Sequence, residues 1–226
     1  MKFAHPLLSE PIEFLDGKIN VLIIENQTQL SIFIMELMRQ QNGEEGTFVL
    51  SEDFKPVLIE KKLELITDWF QLDINSRKLQ NKLYAQIETL ALGEKFYTQT
   101  MELLGYVETF LDDLICDVDY PIVKTKKIDA ATLTKCVELR FDFDGDSLLR
   151  RVVDYFAIAR NFLGITCFVL VNIKSYLSVD ELRSLYKQIA YQKHYVILLE
   201  NVERDVSLAE ERVCIIDDDL CEIRRY

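Results

Sequence analysis

The sequence predicts an α/β protein whose mostly parallel sheet is interrupted, in the middle of the chain, by an all-helical segment. Strand-length apolar runs that alternate with helical patterns predict the sheet, because strands buried on both faces are nearly continuously apolar. Apolar residues at helical spacing predict the insertion. We expect a discontinuous α/β head of residues 1–60 and 146–226 and a helical leg of residues 61–145. The apolar runs are Ile19–Glu25, Ile165–Ile173 and Tyr195–Glu200.

The amino-terminal part is predicted to begin with short strands. Lys2–Leu8 and Pro11–Leu15 flank a turn, and Asp16-Gly17 is a strong hairpin signal before the apolar strand because glycine tolerates a positive φ. The further elements of this part are a helix capped by Asn26 or Thr28 and ended by Asn42-Gly43, and a strand over Thr47–Leu50.

The middle of the chain, from about Lys61 to Phe141, shows little strand signal except around Ile122-Val123. Apolar residues from Leu79 to Leu90 predict one helix, and those from Phe96 to Ile115 predict a longer one. Asp129 is the expected cap of a shorter helix.

The last third alternates between helix and strand again. Asp146 or Ser147 is expected to start a helix closed by Gly164. Ser178 and Glu181 form a capping box for a helix over Val179–Gln192. The predicted closing hairpin joins Val213–Ile216 to Leu220–Ile223.

Cysteine usage and the length of the apolar runs argue against a disulfide-framed, zinc-binding or membrane protein. The five cysteines are an odd number without a CxxC pair, so we expect reduced core residues of a cytoplasmic protein and neither a disulfide frame nor a zinc site. No apolar run approaches the ~20 residues that span a bilayer. No export signal is visible at the amino terminus, so no membrane association is expected.

The charge balance is 26 basic against 38 acidic residues, a net charge of −12. Taken as an average over the surface, this argues against polyanion binding, since phosphate contacts need a local positive potential. Such an average can hide a basic stripe. Each basic residue of such a stripe either lies on a solvated surface or contacts a phosphate. The candidates are Lys124, Lys126 and Lys127, then Arg150, Arg151 and Arg160, and the terminal Arg224 and Arg225.

The sequence lacks the residue patterns that NTPases and nucleophilic enzymes use. The turn after the first apolar strand is Glu25-Asn26-Gln27-Thr28, where a phosphate loop would need glycines and a lysine. Asn172 stands where an NTPase would place a metal-holding aspartate. The two histidines, His5 and His194, are expected to be structural or at the surface.

Four aspartates gather at the end of the long helix of the leg, where they oppose the negative end of the helix dipole. A hard cation such as Ca²⁺ would compensate their charge, and so would a solvated helix end neutralised by the lysines that follow. A second acidic stretch, Asp142–Asp146, departs from the EF-hand pattern and predicts a turn that ends in an N-cap at Asp146. The four aspartates are Asp112, Asp113, Asp117 and Asp119.

Segments spread over nearly the whole chain follow one family pattern in order and spacing. Its most specific parts are Leu72–Ser76 and Val171-Asn172 followed by Tyr176–Ser178 and Asp180-Glu181. Together the segments resemble the small spacer-acquisition proteins of type II-A CRISPR systems, the Csn2 family. The other segments of the pattern are Leu7–Ile12, Val21–Asn26, Leu65–Asp68 and Val196–Glu200.

This resemblance implies a degenerate P-loop-NTPase-like head with an inserted helical leg and no enzymatic activity. It implies a homotetrameric ring that threads the ends of double-stranded DNA, without sequence readout, through a hole lined by lysines. It also implies Ca²⁺ that stabilises the tetramer, and contacts with other CRISPR adaptation proteins and the effector nuclease. A ring can be acidic outside and basic inside, which reconciles DNA binding with the net charge of −12.

Carried over by position, the resemblance favours the four aspartates as calcium ligands, and Arg160 matches a basic family position. DNA contacts are assigned to Lys124, Lys126, Lys127, Arg150, Arg151 and Arg160. The chain departs from its relatives at Leu163–Thr166, where they carry lysine, and at Lys124–Lys127, where they are acidic. The alternatives from other functional classes are a degenerate NTPase and an acidic adaptor that docks adaptation proteins without touching DNA.

Overall fold

The chain divides into an α/β unit and a helical unit, which are described separately. The computed structural model describes residues 1–142, 147–204 and 208–225. The α/β unit comprises Met1–Leu72 and Phe143–Tyr226, of which 143–146, 205–207 and 226 lie outside the described residues. The helical unit is Asp73–Asp142. Asp146, predicted above as an N-cap, and most of the Asp142–Asp146 stretch therefore fall outside the described residues.

The strands of the described residues all belong to the α/β unit. They are β1 (Lys2–Ala4), β2 (Ile12–Glu13), β3 (Ile19–Ile24), β4 (Val49–Glu52), β5 (Lys55–Val57), β6 (Leu63–Ile66), β7 (Cys167–Val171), β8 (Tyr195–Glu200), β9 (Glu211–Ile216) and β10 (Glu222–Arg225). The helices are α1 (Gln27–Gln41), α2 (Ile59–Lys62), α3 (Arg77–Ala91), α4 (Tyr97–Cys116), α5 (Ala130–Thr134), α6 (Leu148–Ile158) and α7 (Val179–Gln192).

The main sheet has the strand order β10-β9-β3-β8-β7-β6. All of its neighbouring strands run parallel except β10, which forms an antiparallel hairpin with β9. Strand β3 lies near its centre, where Val21 pairs with Leu198 on one side and Val213 on the other. Every residue of β3 is buried, as its uninterrupted apolar sequence predicts. The expected mixed α/β fold with a largely parallel sheet is confirmed.

The two faces of the main sheet are covered differently. Leu22 and Ile24 face a core that includes Phe33 and Leu37 of α1 and the inner face of a second, four-stranded sheet. On β7, Phe168 points to the opposite face, where its ring stacks on Phe156 of α6 with centroids 4.1 Å apart. Helices α6 and α7 pack together on this second face. Because side chains alternate along a strand, each face has its own core.

The second sheet was not expected from the sequence, and it corrects the prediction of a hairpin at Asp16-Gly17. Its order is β2-β1-β4-β5 and all its pairs are antiparallel. Strand β2 therefore pairs with β1, and the Asp16-Gly17 turn connects two sheets instead of two paired strands. Gly17 does have the predicted positive φ, at 70°. The fully apolar β3 is drawn into the buried parallel sheet, whereas β2, with one exposed face, stays at an edge.

Strand β6 corrects the expected start of the helical leg. Residues 61–72 were assigned to the leg, but Leu63–Ile66 form the edge strand of the main sheet, parallel to β7. Trp69, just beyond, is buried, and its Nε1 donates to the carbonyl oxygen of Val171 at 2.9 Å. The strand was missed because four residues with a charged Glu64 among them give a weak strand pattern.

The helical unit contains α3, α4 and α5, and residues 73–142, all of which are described, form no strand. The strand considered at Ile122-Val123 is therefore absent. Helix α5 packs against both longer helices. The two ends of the unit are tied together, since Asn75 Oδ1 accepts from the amide of Phe141 at 2.8 Å and its Nδ2 donates to the same residue's carbonyl oxygen at 3.1 Å.

Several predicted helix caps are present. The side chain of Asn26 accepts from the amide of Gln29 at 3.0 Å, and Ser147 caps α6. Ser178 and Glu181 form the predicted capping box. The prediction for the cysteines is only partly right: all five are free, but only Cys167 and Cys214 are buried, whereas Cys116, Cys136 and Cys221 are exposed. Among the described residues, no helix combines the length and the apolar character needed to cross a membrane.

Candidate nucleic-acid interface

The four aspartates predicted as calcium ligands lie on and just after the last turn of α4. All four are exposed. Among the described residues, no three His, Cys, Asp or Glu side chains come together in a way that could hold a metal ion. A calcium ion takes six to eight oxygen ligands, so the donor set that the described residues offer here does not fit this ion. The four are Asp112, Asp113, Asp117 and Asp119.

Lys124, predicted to contact DNA, is instead held by two carboxylates of α4. Its Nζ lies 2.6 Å from Glu108 Oε2 and 2.6 Å from Asp112 Oδ1. A hydrogen bond from Lys124, followed by one from the amide of Ile128, lowers the pKa of Glu108. Hydrogen bonds to Asp112 and Glu108 raise the pKa of Lys124. The structure therefore joins one predicted metal ligand to one predicted DNA contact, while Lys126 and Lys127 are exposed.

The three predicted arginines of the α/β unit have different surroundings. Arg150 Nε lies 3.6 Å from Asp154 Oδ2, one turn along α6. Arg151 is exposed on the same helix. The guanidinium of Arg160 donates to the carbonyl oxygens of Gln192 and Lys193, at 3.1 Å for the latter. Because these carbonyls end α7, Arg160 acts as a helix cap, and Arg151 is the most available of the three.

A basic surface that the sequence analysis missed lies on α7. Arg183, Lys187 and Tyr191 follow one another at intervals of four residues, which places them on one face of the helix. All three are exposed, Tyr191 to 85%. Arg183 pairs with Asp180 at 3.0 Å. Lys193, directly after the helix, is exposed as well. We call Arg183, Lys187, Tyr191 and Lys193 the α7 basic surface.

The signal for the α7 basic surface is present in the sequence. Residues 182–199 contain three basic residues and no Asp or Glu, in a chain with 38 acidic residues. The predicted DNA contacts, apart from Arg160, lie close together in sequence, at Lys124–Lys127 and Arg150-Arg151. Adjacent residues on a helix point apart, whereas residues four apart share a face. Local charge read at helical spacing would have found the surface.

At the carboxyl ends of the parallel strands, the two side chains singled out in the sequence are Asn26 and Asn172. The Asn26 side chain is used in capping α1, and its Nδ2 donates to the carbonyl oxygen of Asp218 at 3.1 Å. Asn172, which follows β7 in a left-handed conformation with φ 54°, accepts from the amide of Asn201 at 3.1 Å. Both side chains are thus engaged in hydrogen bonds within the α/β unit.

Buried ionisable groups occupy the interior of the α/β unit. Lys174 Nζ lies 2.8 Å from both carboxylate oxygens of Glu211, and Tyr186 Oη donates to Glu211 at 2.6 Å. Burial raises the pKa of Glu200, at the end of β8, to about 7. Burial lowers the pKa of His194 to about 4, and Arg160 adds to the effect. Lys174 and His194 also line two separate pockets at the surface of the unit.

The two histidines have structural surroundings, as expected. His194 lies against Phe156 and Phe168, with ring centroids 5.5 and 5.3 Å away. The ring of His5 packs against Phe48 with centroids 4.3 Å apart, and its Nδ1 accepts from the amide of Leu7. Both rings thus pack against aromatic side chains.

Residues 40–220 match the model of one protein family, described as CRISPR-associated protein (Cas_Csn2). The chain belongs to the Csn2 family. The match includes α7 and the whole helical unit, so both the α7 basic surface and the Lys124 contacts lie inside the region that defines membership. The resemblance derived from sequence segments is thereby confirmed, and the family assigns the chain a CRISPR-associated role.

Two similar proteins support this assignment. A CRISPR-associated protein Csn2 of Enterococcus faecalis is 23% identical over 208 residues, covering 88% of this chain and 90% of that protein. The crystal structure of Stu0660 of Streptococcus thermophilus superposes with a TM-score of 0.62 at 14% identity, covering 100% of this chain and 76% of that one. At that identity the superposition shows a common fold.

Proposed function

We propose that this Csn2-family protein binds the ends of double-stranded DNA, without reading their sequence, and so assists the acquisition of new CRISPR spacers. The proposal includes a closed homotetramer, contacts with other adaptation proteins and the effector nuclease, and no chemical step. The observation that carries it is the α7 basic surface, which concentrates exposed positive charge in a protein with a net charge of −12. Lysine and arginine bind phosphates irrespective of the base sequence.

The balance of charge supports a closed assembly. A single chain with this net charge repels DNA over most of its surface, and one helix face offers only a few cations. Several copies arranged around an axis bring several such faces to one duplex, and each phosphate contact adds to binding by releasing a counterion. Lys187, Lys193 and Arg151 are the contacts that we propose in the α/β unit, because they are exposed. Lys126 and Lys127 are the proposed contacts of the helical unit.

The α/β unit is proposed to be a degenerate relative of nucleotide-binding folds. The β3–turn–α1 segment occupies the place of a phosphate loop, but the turn Glu25–Thr28 has no glycine and no lysine. The side chain of Asn26 is already committed to the α1 cap. We therefore expect neither ATP binding nor ATP turnover, which isothermal calorimetry and a phosphate-release assay measure.

A gel-shift comparison of linear and covalently closed circular duplex, identical in sequence, tests the proposal. Threading predicts that linear duplex binds and closed circles do not, since a closed ring cannot load where there is no end. Equal binding to both forms contradicts threading. If the protein binds neither form at low ionic strength, the alternative function applies, an adaptor that docks adaptation proteins without touching DNA. Native mass determination at the same protein concentration checks the tetramer.

Calcium stays a prediction of the family resemblance, since the four aspartates of the described chain do not assemble into a site. The same mass determination in Ca²⁺ and in a chelator tests it. A tetramer that dissociates in the chelator supports calcium at contacts between chains. An Asp113→Asn/Asp117→Asn variant then distinguishes this helix end from other acidic sites, because it leaves the Lys124 contacts in place.

A further inference from the structure

Lys124 links α4 to the chain that follows it. We call the contacts among Glu108, Asp112, Lys124 and Ile128 the clasp. Glu108 and Asp112 are four residues apart on α4, so their carboxylates lie on one face, and the Lys124 ammonium bridges them at 2.6 Å each. The second oxygen of Glu108 accepts from the amide of Ile128 at 2.8 Å. Residues 124–128 are therefore held to α4 at both ends of this short segment, by Glu108 and Asp112 at Lys124 and by Glu108 alone at Ile128.

The clasp lies where the helical unit needs positive charge. Residues 96–123 contain six Asp and Glu but no Lys or Arg. Like charges four apart on a helix repel each other, and the negative end of the helix dipole adds to this repulsion. The side chains of Lys124 and Glu108 are 29% and 24% exposed, whereas that of Asp112 is 59% exposed, so solvent screens the contact with Asp112 more than the contact with Glu108.

We propose that the Lys124 ammonium takes the structural place of a divalent cation in this helical unit. It neutralises Glu108 and Asp112 and holds residues 124–128 on α4, so that the unit keeps this local structure without calcium. The family resemblance implies calcium at this acidic helix end, and the described residues offer no group that fits such an ion. This proposal does not depend on DNA binding. If the proposal is right, Glu108 and Asp112 do not respond to Ca²⁺ in the wild-type protein, because Lys124 already neutralises them.

The experiment compares the wild-type protein with Lys124→Ala and with Lys126→Ala as a matched control, since Lys126 is an exposed lysine two residues away. Each full-length protein is studied in a chelator and in millimolar Ca²⁺, with Mg²⁺ at equal ionic strength as a second control. The local measurement is hydrogen exchange at the amide of Ile128, which donates to Glu108. The global measurement is the midpoint of thermal unfolding.

We expect wild-type and Lys126→Ala proteins to show the same Ile128 protection in the chelator and in Ca²⁺. Lys124→Ala should lose protection at Ile128 at least tenfold in the chelator and regain most of it in Ca²⁺, because Glu108 and Asp112 then offer the ion two carboxylates and water supplies its remaining ligands. Its unfolding midpoint should fall by roughly 2–4 °C without metal. A further Glu108→Gln change should abolish the response to Ca²⁺.

Three results overturn the proposal. If Ca²⁺ raises the protection of Ile128 in the wild-type protein, a metal closes the clasp and the lysine does not. If Lys124→Ala keeps full protection in the chelator, the ammonium is not needed. If Lys124→Ala loses protection that Ca²⁺ does not restore, the lysine holds the segment but does not replace a cation.

Discussion

Lys174 and Glu211 form a buried ion pair in the α/β unit, with the ammonium nitrogen 2.8 Å from both carboxylate oxygens and side-chain exposures of 7% and 1%. Tyr186, from the buried face of α7, donates to the same carboxylate at 2.6 Å. The carboxylate also raises the pKa of Tyr186, although burial is the larger cause. The pair ties the turn after β7 to the start of β9 across the interior of the unit.

Removing one partner of this pair should be strongly destabilising. Lys174→Met leaves Glu211 charged and without its cation in the interior, which costs roughly 3–5 kcal/mol of the free energy of unfolding. Trp69, the single tryptophan, is buried in the same unit and reports its unfolding by fluorescence in a urea titration. Lys187→Met, on the exposed face of α7, is the control and should change stability little. The double variant Lys174→Met/Glu211→Gln should recover part of the loss, and a single variant as stable as the control contradicts the prediction.

Glu200 should make the α/β unit less stable as the pH rises. Burial raises its pKa from 4.5 to about 7, so the folded state holds the proton more tightly than the unfolded state. Its contribution is fully present below pH 4.5 and is lost as the pH rises through 7. Glu200→Gln removes the titration, keeps an oxygen that accepts from the Lys174 amide, and should gain about 2–3 kcal/mol relative to wild type between pH 4.5 and 8. Parallel pH profiles of the two proteins would disprove the assignment.

His194 should make the α/β unit more stable as the pH rises, the opposite of the effect expected for Glu200. Burial beside two phenylalanines, and then Arg160, lower its pKa from 6.5 to about 4, so the unfolded state binds the proton more tightly. Its contribution is present above pH 6.5 and is lost as the pH falls towards 4. Since Glu200 has the reverse slope, the comparison uses the Glu200→Gln background, in which a further His194→Phe change should flatten the pH profile. A direct check is proton NMR, where the imidazole of His194 should stay neutral down to about pH 5; protonation near pH 6.5 contradicts burial of the ring.

The α7 basic surface should determine how DNA binding depends on salt. If Lys187 and Lys193 each neutralise one phosphate, replacing either by alanine lowers the slope of log K against log salt by about 0.9 and weakens binding equally for all sequences. Lys55→Ala is the matched control, since this exposed lysine lies on the four-stranded sheet, on the opposite side of the main sheet from α7. Fluorescence anisotropy with linear duplex at several salt concentrations gives the slopes. Unchanged slopes for both α7 variants would remove this surface from the DNA contact.

The elements that could be predicted were those with strong local patterns. Helix α7 and strand β8 have the predicted bounds, because a capping box and an uninterrupted apolar run define them locally. Strand β6 and the pairing of β2 with β1 were missed, because edge strands of two to four residues depend on their partners more than on their own sequence. The lysines chosen for DNA binding were adjacent in sequence, and one of them, Lys124, turned out to be held by α4.

The amino-acid sequence alone indicated the family, through segments that resemble its pattern in order and spacing. It also determined most of the parallel strands and their helices and the acidic character of the chain, because these depend on composition and on periodicity within single segments. Only the tertiary structure decided which charged side chains are exposed and free to bind a partner, and which are paired within the protein. Whether Lys174, Arg160 or Lys124 faces solvent or a partner depends on residues at least eight positions away in the chain that folding brings within about 3 Å. Electrostatic contacts of this kind leave no pattern at short range, so burial and pairing must be read from the folded chain.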